Sequence, residues 1–297
     1  VSDDRFDLPR LAPDPIPAIH PVPEYAVEGQ RAEWYADMKS VFQVPWMGVV
    51  TMAYAHYPTF FEVLWQGTRE LARSRPFVET FLGLRAFVEA EIAALDPPPI
   101  IRRLVDHGYG AREIDGIREV NEVFSHGNFP YTVMSTIARL LVEGGEMTAS
   151  GEAPPFEGRH APDVRVPFLL MEAHHADEPS RAVYEDVKAV LRLPFVNTDY
   201  RAFARWPSYW AMAWGDLRQV AGGAAHEAIC QAYHDRVLAA VASELPNVGG
   251  ITSAAVREAA AADAPLDEVV EMCRLFQWLL PGLVCNVAYL RAQLLTD

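Results

Sequence analysis

Two stretches of this chain align without a gap, and together they decide the fold. The first is WYADMKSVFQVPWMGVVTMAYAHYPTFFEVLW (residues 34–65), and the second is VYEDVKAVLRLPFVNTDYRAFARWPSYWAMAW (residues 183–214). Pro194 follows Pro45 by 149 residues. At the same offset the identical pairs include Tyr35 and Tyr184, Asp37 and Asp186, Lys39 and Lys188, Pro58 and Pro207, and Trp65 and Trp214. Self-similarity over this length indicates an internal repeat.

The later part of each half matches more loosely. EIDGIREVNEVFSHGNFPYTVM (113–134) is similar to PLDEVVEMCRLFQWLLPGLVC (265–285), with Pro130 near Pro281. The sequence therefore predicts four segments: a Pro-rich N-terminal arm (1–30), a first helical repeat (31–143), a Gly/Pro-rich connector (144–179) and a second helical repeat (180–297).

Each repeat has helical patterning. Trp34, Met38, Val41 and Phe42 recur at the spacing of one helix face. Proline is favoured in the first helical turn, so Pro76 is expected to open a helix that reaches Leu95. After DPPP (96–99) a further helix is expected from Ala111 to about Ser125. We predict an all-α fold of two homologous repeats packed as a pseudo-dimer, with the active site between them.

Composition narrows the possible partners. The 297 residues have a formal net charge of −15, which argues against nucleic acid and anionic membrane as partners. Cys230, Cys273 and Cys285 are odd in number and scattered, so a reduced cytoplasmic protein is expected. No uninterrupted apolar run reaches about 18 residues, and no membrane span is expected.

The repeat singles out two polar positions. Asp199 corresponds to Val50, and Asn128 corresponds loosely to Leu279, so each half has one polar residue where the other half is apolar. A polar residue that only stabilises the fold should recur in both copies of the repeat, whereas a residue of a functional site between the copies need not. The alternatives are local: Asp199 could cap a helix beginning at Tyr200, and Asn128 could be a turn or cap residue before Pro130.

Three motifs resemble those of a known family. VPW (44–46), GN followed by an aromatic segment (127–131), and an Asp before an aromatic residue and a later WP (199–207) are similar to the group I, non-stereospecific 2-haloacid dehalogenases. The resemblance spans about residues 31 to 295. It implies a cofactor-independent hydrolase, in which Asp199 activates a water and Asn128 holds that water while it displaces halide from C2 of a short 2-haloalkanoic acid, with inversion. Metal independence is expected because the sequence offers no complete set of metal ligands.

The resemblance also implies a substrate pocket. Its expected lining is Trp46, Val49, Thr198, Phe276, Leu279 and Leu280. Three of these positions depart from the family pattern: Val49 replaces a Phe, Phe276 replaces a Tyr, and Thr198 replaces a Ser. The pocket wall is therefore smaller and less polar than in the family pattern. The sequence does not determine which acid, which halide or which enantiomer is accepted.

Other hypotheses about the function also fit parts of the sequence. Asp199 could attack carbon itself, although the motifs of α/β enzymes that do so are absent from the sequence. A metal hydrolase could use His234 and Asp235, or Glu172 and His175, but each pair lacks further ligands. The remaining alternative is a small-carboxylic-acid-binding protein of the same architecture with little turnover. A homodimer is possible.

Overall fold

The computed structural model describes residues 8–295, and within that range every regular element is helical. The α-helices are α1 (Gln30–Phe42), α2 (Val49–Tyr54), α3 (Pro58–Ala72), α4 (Arg75–Ala93), α5 (Ile101–Asp106), α6 (Ala111–Val142), α7 (Glu178–Leu191), α8 (Thr198–Phe203), α9 (Pro207–Leu217), α10 (Ala224–Ala239), α11 (Ser253–Asp263) and α12 (Leu266–Leu295). A short π-helical segment, Ala240–Glu244, extends α10. The all-α prediction is confirmed.

Local sequence explains where the helices begin and end. Pro58 and Pro207 open α3 and α9, where the N–H that proline lacks has no helical partner in any case. The side chain of Asp177 accepts the N–H of Ser180 at 2.9 Å and caps α7. Residues 143–177, between α6 and α7, contain no helix, as the glycines and prolines predict. Residues 8–29 are also non-helical, and residues 1–7 of the predicted arm lie outside the described residues.

Contacts of the first half recur in the second half at the offset of the sequence repeat. α1 and α7 both end on a left-handed residue, Gln43 with φ 53° and Arg192 with φ 56°. Further recurring contacts are the indole–carboxylate bonds Trp65–Asp37 and Trp214–Asp186, the tyrosine–carbonyl bonds Tyr35–Val22 and Tyr184–Met171, and the backbone bonds Val22–Met52 and Met171–Arg201. α2 and α8 thus occupy corresponding places, each inside a similar frame.

The chain forms two compact units, and each unit takes segments from both sequence halves. Unit 1 contains the residues up to Leu82, Pro130–Arg159 and His234–Pro281. Unit 2 contains Gly83–Phe129, His160–Tyr233 and the residues from Gly282. The changes of unit at Pro130 and after Pro281 fall inside α6 and α12. The division into four segments describes the sequence repeat, and it stays a prediction.

The helix that begins at Ala111 is much longer than the sequence indicated. It was expected to end near Ser125, but α6 continues through Pro130 to Val142. Proline inside a helix removes one hydrogen bond and costs about 3 kcal/mol. The residues on both sides of Pro130 are almost all buried, and this burial offsets the loss. The turn interpretation of Asn128 was therefore wrong, because Asn128 lies inside a helix.

α12 has the same construction, with Pro281 in its interior. By length and composition α12 could cross a membrane, but 72% of its most apolar window is buried inside the protein. A buried core helix passes the same test, so this finding is weak evidence for a membrane span.

Candidate active site

Asp199 lies inside a short helix that is surrounded by aromatic rings. It is the second residue of α8, which begins at Thr198, so the alternative in which Asp199 caps a helix starting at Tyr200 is wrong. Asn197 occupies the N-cap position, and its side chain makes no capping bond. The Asp199 residue is only 2% exposed. Because an apolar residue, Val50, fills the corresponding place in α2, burial at this position does not require an acid.

Rings from unit 2 enclose α8. Tyr200 stacks on Trp210 with ring centroids 5.1 Å apart, and Phe203 stacks on the same indole at 6.1 Å. Phe124 of α6 meets Phe203 edge-on at 5.7 Å. This cluster packs apolar rings against the helix that holds the carboxylate.

Asn128 of α6 reaches Asp199 directly. Its amide Nδ2 donates to Asp199 Oδ1 at 2.6 Å, between residues that are 71 positions apart in the chain. Both residues are buried and both belong to unit 2. The two polar positions that interrupt the sequence repeat, one from each half, are therefore hydrogen-bonded to each other.

Burial makes Asp199 an unusually strong base for a carboxylate. Desolvation raises the pKa of Asp199 to about 7, and this effect outweighs three smaller effects that lower the pKa. Those are the amide of Asn128, the backbone N–H of Asp199 and the charge of Arg201. A buried carboxyl group whose pKa lies near 7 is suited to accept a proton at neutral pH.

Arg201 is the cation near Asp199, and its charge is already paired. Its Nη1 donates to Glu172 Oε1 at 2.7 Å, and its Nη2 donates to Thr198 Oγ1 at 3.3 Å. Met171 donates its N–H to the carbonyl of Arg201, so the connector is bound to α8 at two points. Glu172, considered above as a metal ligand with His175, is engaged in this ion pair. In the other considered pair, His234 Nδ1 lies 3.0 Å from Asp235 Oδ1.

The predicted pocket residues are divided between the two units. Thr198, the first residue of α8, is in unit 2 beside Asp199. The others are in unit 1: Trp46, Val49, Phe276, Leu279 and Leu280. The carbonyl of Trp46 accepts the hydroxyl of Tyr131 at 2.6 Å, and Phe276 meets Tyr54 edge-on at 6.1 Å. Val49 is half-buried and the other four are buried. Their role as a substrate wall stays a prediction.

A series of buried polar side chains beside Asp199 was not predicted from the sequence. Asn286 Nδ2 lies 2.9 Å from the hydroxyl of Tyr200, and Asn286 Oδ1 lies 2.9 Å from His226 Nε2. His226 Nδ1 in turn lies 3.6 Å from Cys230 Sγ. All four residues are buried and belong to unit 2. The spacing of His226 and Cys230, four residues apart on α10, was the one sequence signal that could have drawn attention to it.

Comparison with known proteins gives close relatives over almost the whole chain. An (R)-2-haloacid dehalogenase of Rhizobium sp. (strain NHG3) is 45% identical over 244 residues, which are 82% of this chain and 94% of that protein. An (R)-2-haloacid dehalogenase of Pseudomonas putida is 36% identical over 98% of this chain and 97% of that protein. No family model matches the chain.

Solved structures give the same result. A D-2-haloacid dehalogenase mutant in complex with D-2-CPA and a D-2-haloacid dehalogenase in complex with L-LA both align with a TM-score of 0.88. Each is 33% identical, and each alignment covers 98% of this chain and 100% of the other chain. The resemblance first indicated by three short motifs therefore extends over the complete fold.

Proposed function

Since the chain belongs to the 2-haloacid dehalogenases, hydrolases that act on carbon–halide bonds, we propose that Asp199 is the general base of this reaction. The substrate is a short 2-haloalkanoic acid, and the product is the 2-hydroxy acid. The observation that supports Asp199 most directly is its buried hydrogen bond with Asn128, together with a pKa raised to about 7.

In the proposed step, the oxygen of a water molecule attacks C2 on the side opposite the halogen. The C2–O bond forms as the carbon–halogen bond breaks, one water proton passes to Asp199, and the halide leaves with the bonding electron pair. A neutral water is a poor nucleophile, so transfer of its proton in the transition state lowers the barrier. A single in-line displacement inverts the configuration at C2.

Asn128 has the positioning role in this proposal. Its amide has both donors and an acceptor, so it can bond Asp199 through Nδ2 and still contact the attacking water. Holding the base and the water in one arrangement removes part of the entropic cost of the reaction. Asn128 also limits the rise in the pKa of Asp199, so a larger fraction of the base is ionised at neutral pH.

We further propose that the (R) enantiomer is preferred. The sequence motifs alone pointed to a non-stereospecific group, but the two relatives that match most of the chain are named for the (R) enantiomer. Halide release from (R)- and (S)-2-chloropropionate, measured separately, tests this. Equal rates would contradict the preference, and absence of release from both would favour a small-acid-binding protein. Cytoplasmic location and a homodimer stay predictions.

One experiment distinguishes a base from a nucleophile at position 199. Enzyme in excess over (R)-2-chloropropionate is allowed one turnover in ¹⁸O-water. If Asp199 is the base, the new hydroxyl oxygen of the first product is labelled. If Asp199 attacks C2 itself, the first product is unlabelled and the label enters the Asp199 carboxylate, which would refute the proposal.

The Asp199→Asn variant provides the second test. It keeps the shape of the side chain and a hydrogen-bond acceptor for Asn128, but it cannot accept the proton of water. We expect halide release to fall by about 10² to 10⁴, the usual contribution of a general base. A loss of less than about tenfold, or 1.4 kcal/mol, would place the base elsewhere.

A further inference from the structure

His226, Glu227 and Cys230 bring three different metal-binding groups together near the start of α10. One imidazole nitrogen of His226, the sulfur of Cys230 and a carboxylate oxygen of Glu227 all lie within 4.8 Å of one another. His226 and Cys230 are buried, while Glu227 is half-buried and connects the group to the surface. The three residues lie apart from Asp199 in the sequence and have no part in the proposed reaction.

The spacing of the first two groups already fits a tetrahedral cation. Zinc binds sulfur at about 2.3 Å and imidazole nitrogen at about 2.0 Å, so in tetrahedral geometry the two ligand atoms are roughly 3.5 Å apart. Cys230 Sγ and His226 Nδ1 are 3.6 Å apart. A cation could bind between them with little movement of the helix, as the thiol releases its proton and the sulfur becomes a thiolate ligand.

The far side of His226 has the arrangement that metal sites usually show. A histidine that binds a metal through one nitrogen commonly donates the other N–H to an oxygen that fixes the ring. Here His226 Nε2 lies 2.9 Å from Asn286 Oδ1, and Asn286 Nδ2 lies 2.9 Å from the hydroxyl of Tyr200. The imidazole is thus held with Nδ1 directed at Cys230.

We propose that His226, Cys230 and Glu227 form a binding site for a zinc-type divalent cation. Sulfur, imidazole and carboxylate together favour zinc over magnesium or calcium, which prefer oxygen ligands. The site is connected through Asn286 to Tyr200, the neighbour of Asp199. A cation on Nδ1 fixes Nε2 as a donor to Asn286 Oδ1, so it locks the direction that the structure shows, in which Asn286 Nδ2 donates to the hydroxyl of Tyr200. This fixes a hydrogen bond of the residue that follows Asp199 in α8, so we expect cation binding to lower turnover.

Cobalt(II) is the probe for the site, because a cysteine thiolate bound to cobalt gives an ultraviolet charge-transfer band. Titration of the reduced, chelator-treated full chain should produce this band with saturation at one equivalent. Cys230→Ser should remove the band. Cys273→Ser replaces another buried cysteine and should retain it. Absence of the band in the wild type, or its loss only in Cys273→Ser, would overturn the site.

Thermal unfolding gives a readout for variants that fold but absorb weakly. Zinc should raise the Tm of the wild type and leave the Tm of Cys230→Ser unchanged, because a ligand stabilises only a protein that binds it. An equal rise in both would show that zinc binds elsewhere. Neither measurement uses halide release, so a negative result leaves the function of Asp199 untouched.

The connection to catalysis, which rests on the proposed function, is tested separately. Zinc should lower halide release by the wild type, EDTA should restore it, and Cys230→Ser should be insensitive to both. Unchanged turnover of a wild type that shows the cobalt band would refute the connection to Tyr200. Activity that EDTA abolishes would instead contradict the metal independence expected from the sequence.

Discussion

At the scale of single residues, Asp199 is placed where catalysis and stability have opposite requirements. Its burial raises its pKa to about 7, which makes it a better base, but the ionised form is then costly in the folded protein. The hydrogen bond from Asn128 lowers that cost in part. Two measurements follow from this conflict, one of rate and one of stability.

The rate should depend on pH through Asp199. The base must be ionised, so kcat/KM should be half-maximal near pH 7 and fall about tenfold for each unit below. Asn128→Ala removes a hydrogen bond that lowers the pKa of Asp199, so the acidic limb should move to higher pH. Asn121→Ala, a buried asparagine on the same helix, is the control and should leave the limb in place. An unshifted limb in Asn128→Ala would contradict the assignment.

The stability should depend on pH in the opposite sense. The pKa of Asp199 is about 7 when folded and near 3.8 when unfolded, so the folded state binds the proton more tightly. Stability is therefore lost as pH rises from about 4 to 7, by about 4 kcal/mol at most, and is then constant. Asp199→Asn lacks this loss. Its free energy of unfolding, measured with urea, should exceed that of the wild type increasingly from pH 5 to 7. If the free energies of unfolding of the two proteins changed in parallel with pH, a raised pKa of Asp199 would be excluded.

At the scale of elements, α3 and the loop before α11 pack with their backbones in direct contact, because both carry glycine at the point of contact. A Cβ on Gly249 would lie 1.9 Å from the carbonyl oxygen of Gly67, and a Cβ on Gly67 would lie 2.7 Å from Ile251. These are contacts within unit 1, and they leave no space for a side chain at position 249. The small residues are therefore needed for packing rather than for a turn.

A pair of glycine variants tests this. Gly249→Ala should destabilise the protein by roughly 1–3 kcal/mol or more, because a backbone carbonyl cannot move aside as a side-chain end can. Gly83→Ala is the matched control: Gly83 lies inside α4, with nothing within 4 Å of the added methyl group. There the better helix propensity of alanine should stabilise by about 1 kcal/mol. Thermal or urea unfolding of both variants measures the difference, and similar effects would contradict the packing argument.

At the scale of the whole molecule, the repeat supplies two similar frames and only one of them holds the base. α2 and α8 have the same length and corresponding flanking contacts, yet Val50 stands where Asp199 does. The position that corresponds to Asn128 is Leu279, which offers no amide to a carboxylate. The catalytic function proposed here thus needs the polar residue of each half, Asn128 of the first and Asp199 of the second, and not the frame alone.

Moving the aspartate from position 199 in α8 to position 50 in α2 should therefore not restore halide release. The double variant Val50→Asp, Asp199→Val should show no more halide release than Asp199→Val alone, because the new carboxyl group has no asparagine partner. Val50 is buried, so the unpaired carboxyl group should also destabilise the protein by about 2 kcal/mol or more. Halide release and urea unfolding of the single and double variants measure both effects. Recovery of turnover in the double variant would show that either frame can act.

The sequence by itself determined the helical class, the repeat, and Asp199 and Asn128 as the candidate pair. The helical class follows from local spacing and from prolines that mark helix starts, whereas the repeat and the candidate pair follow from comparing residues at a fixed offset of 149. The same local rules failed where a proline lies inside a helix. They ended the helix near Ser125 and suggested a turn or cap as the alternative role of Asn128, whereas α6 continues through Asn128 to Val142.

Only the tertiary structure decided how these residues meet. The continued α6 places Asn128 2.6 Å from a carboxylate 71 residues away, and burial in the folded protein raises the pKa of that carboxylate. The chain Tyr200–Asn286–His226 likewise joins three helices that share no local pattern. Desolvation and hydrogen bonding between distant residues depend on which faces pack together, and that is a property of the folded chain that no short window of sequence contains.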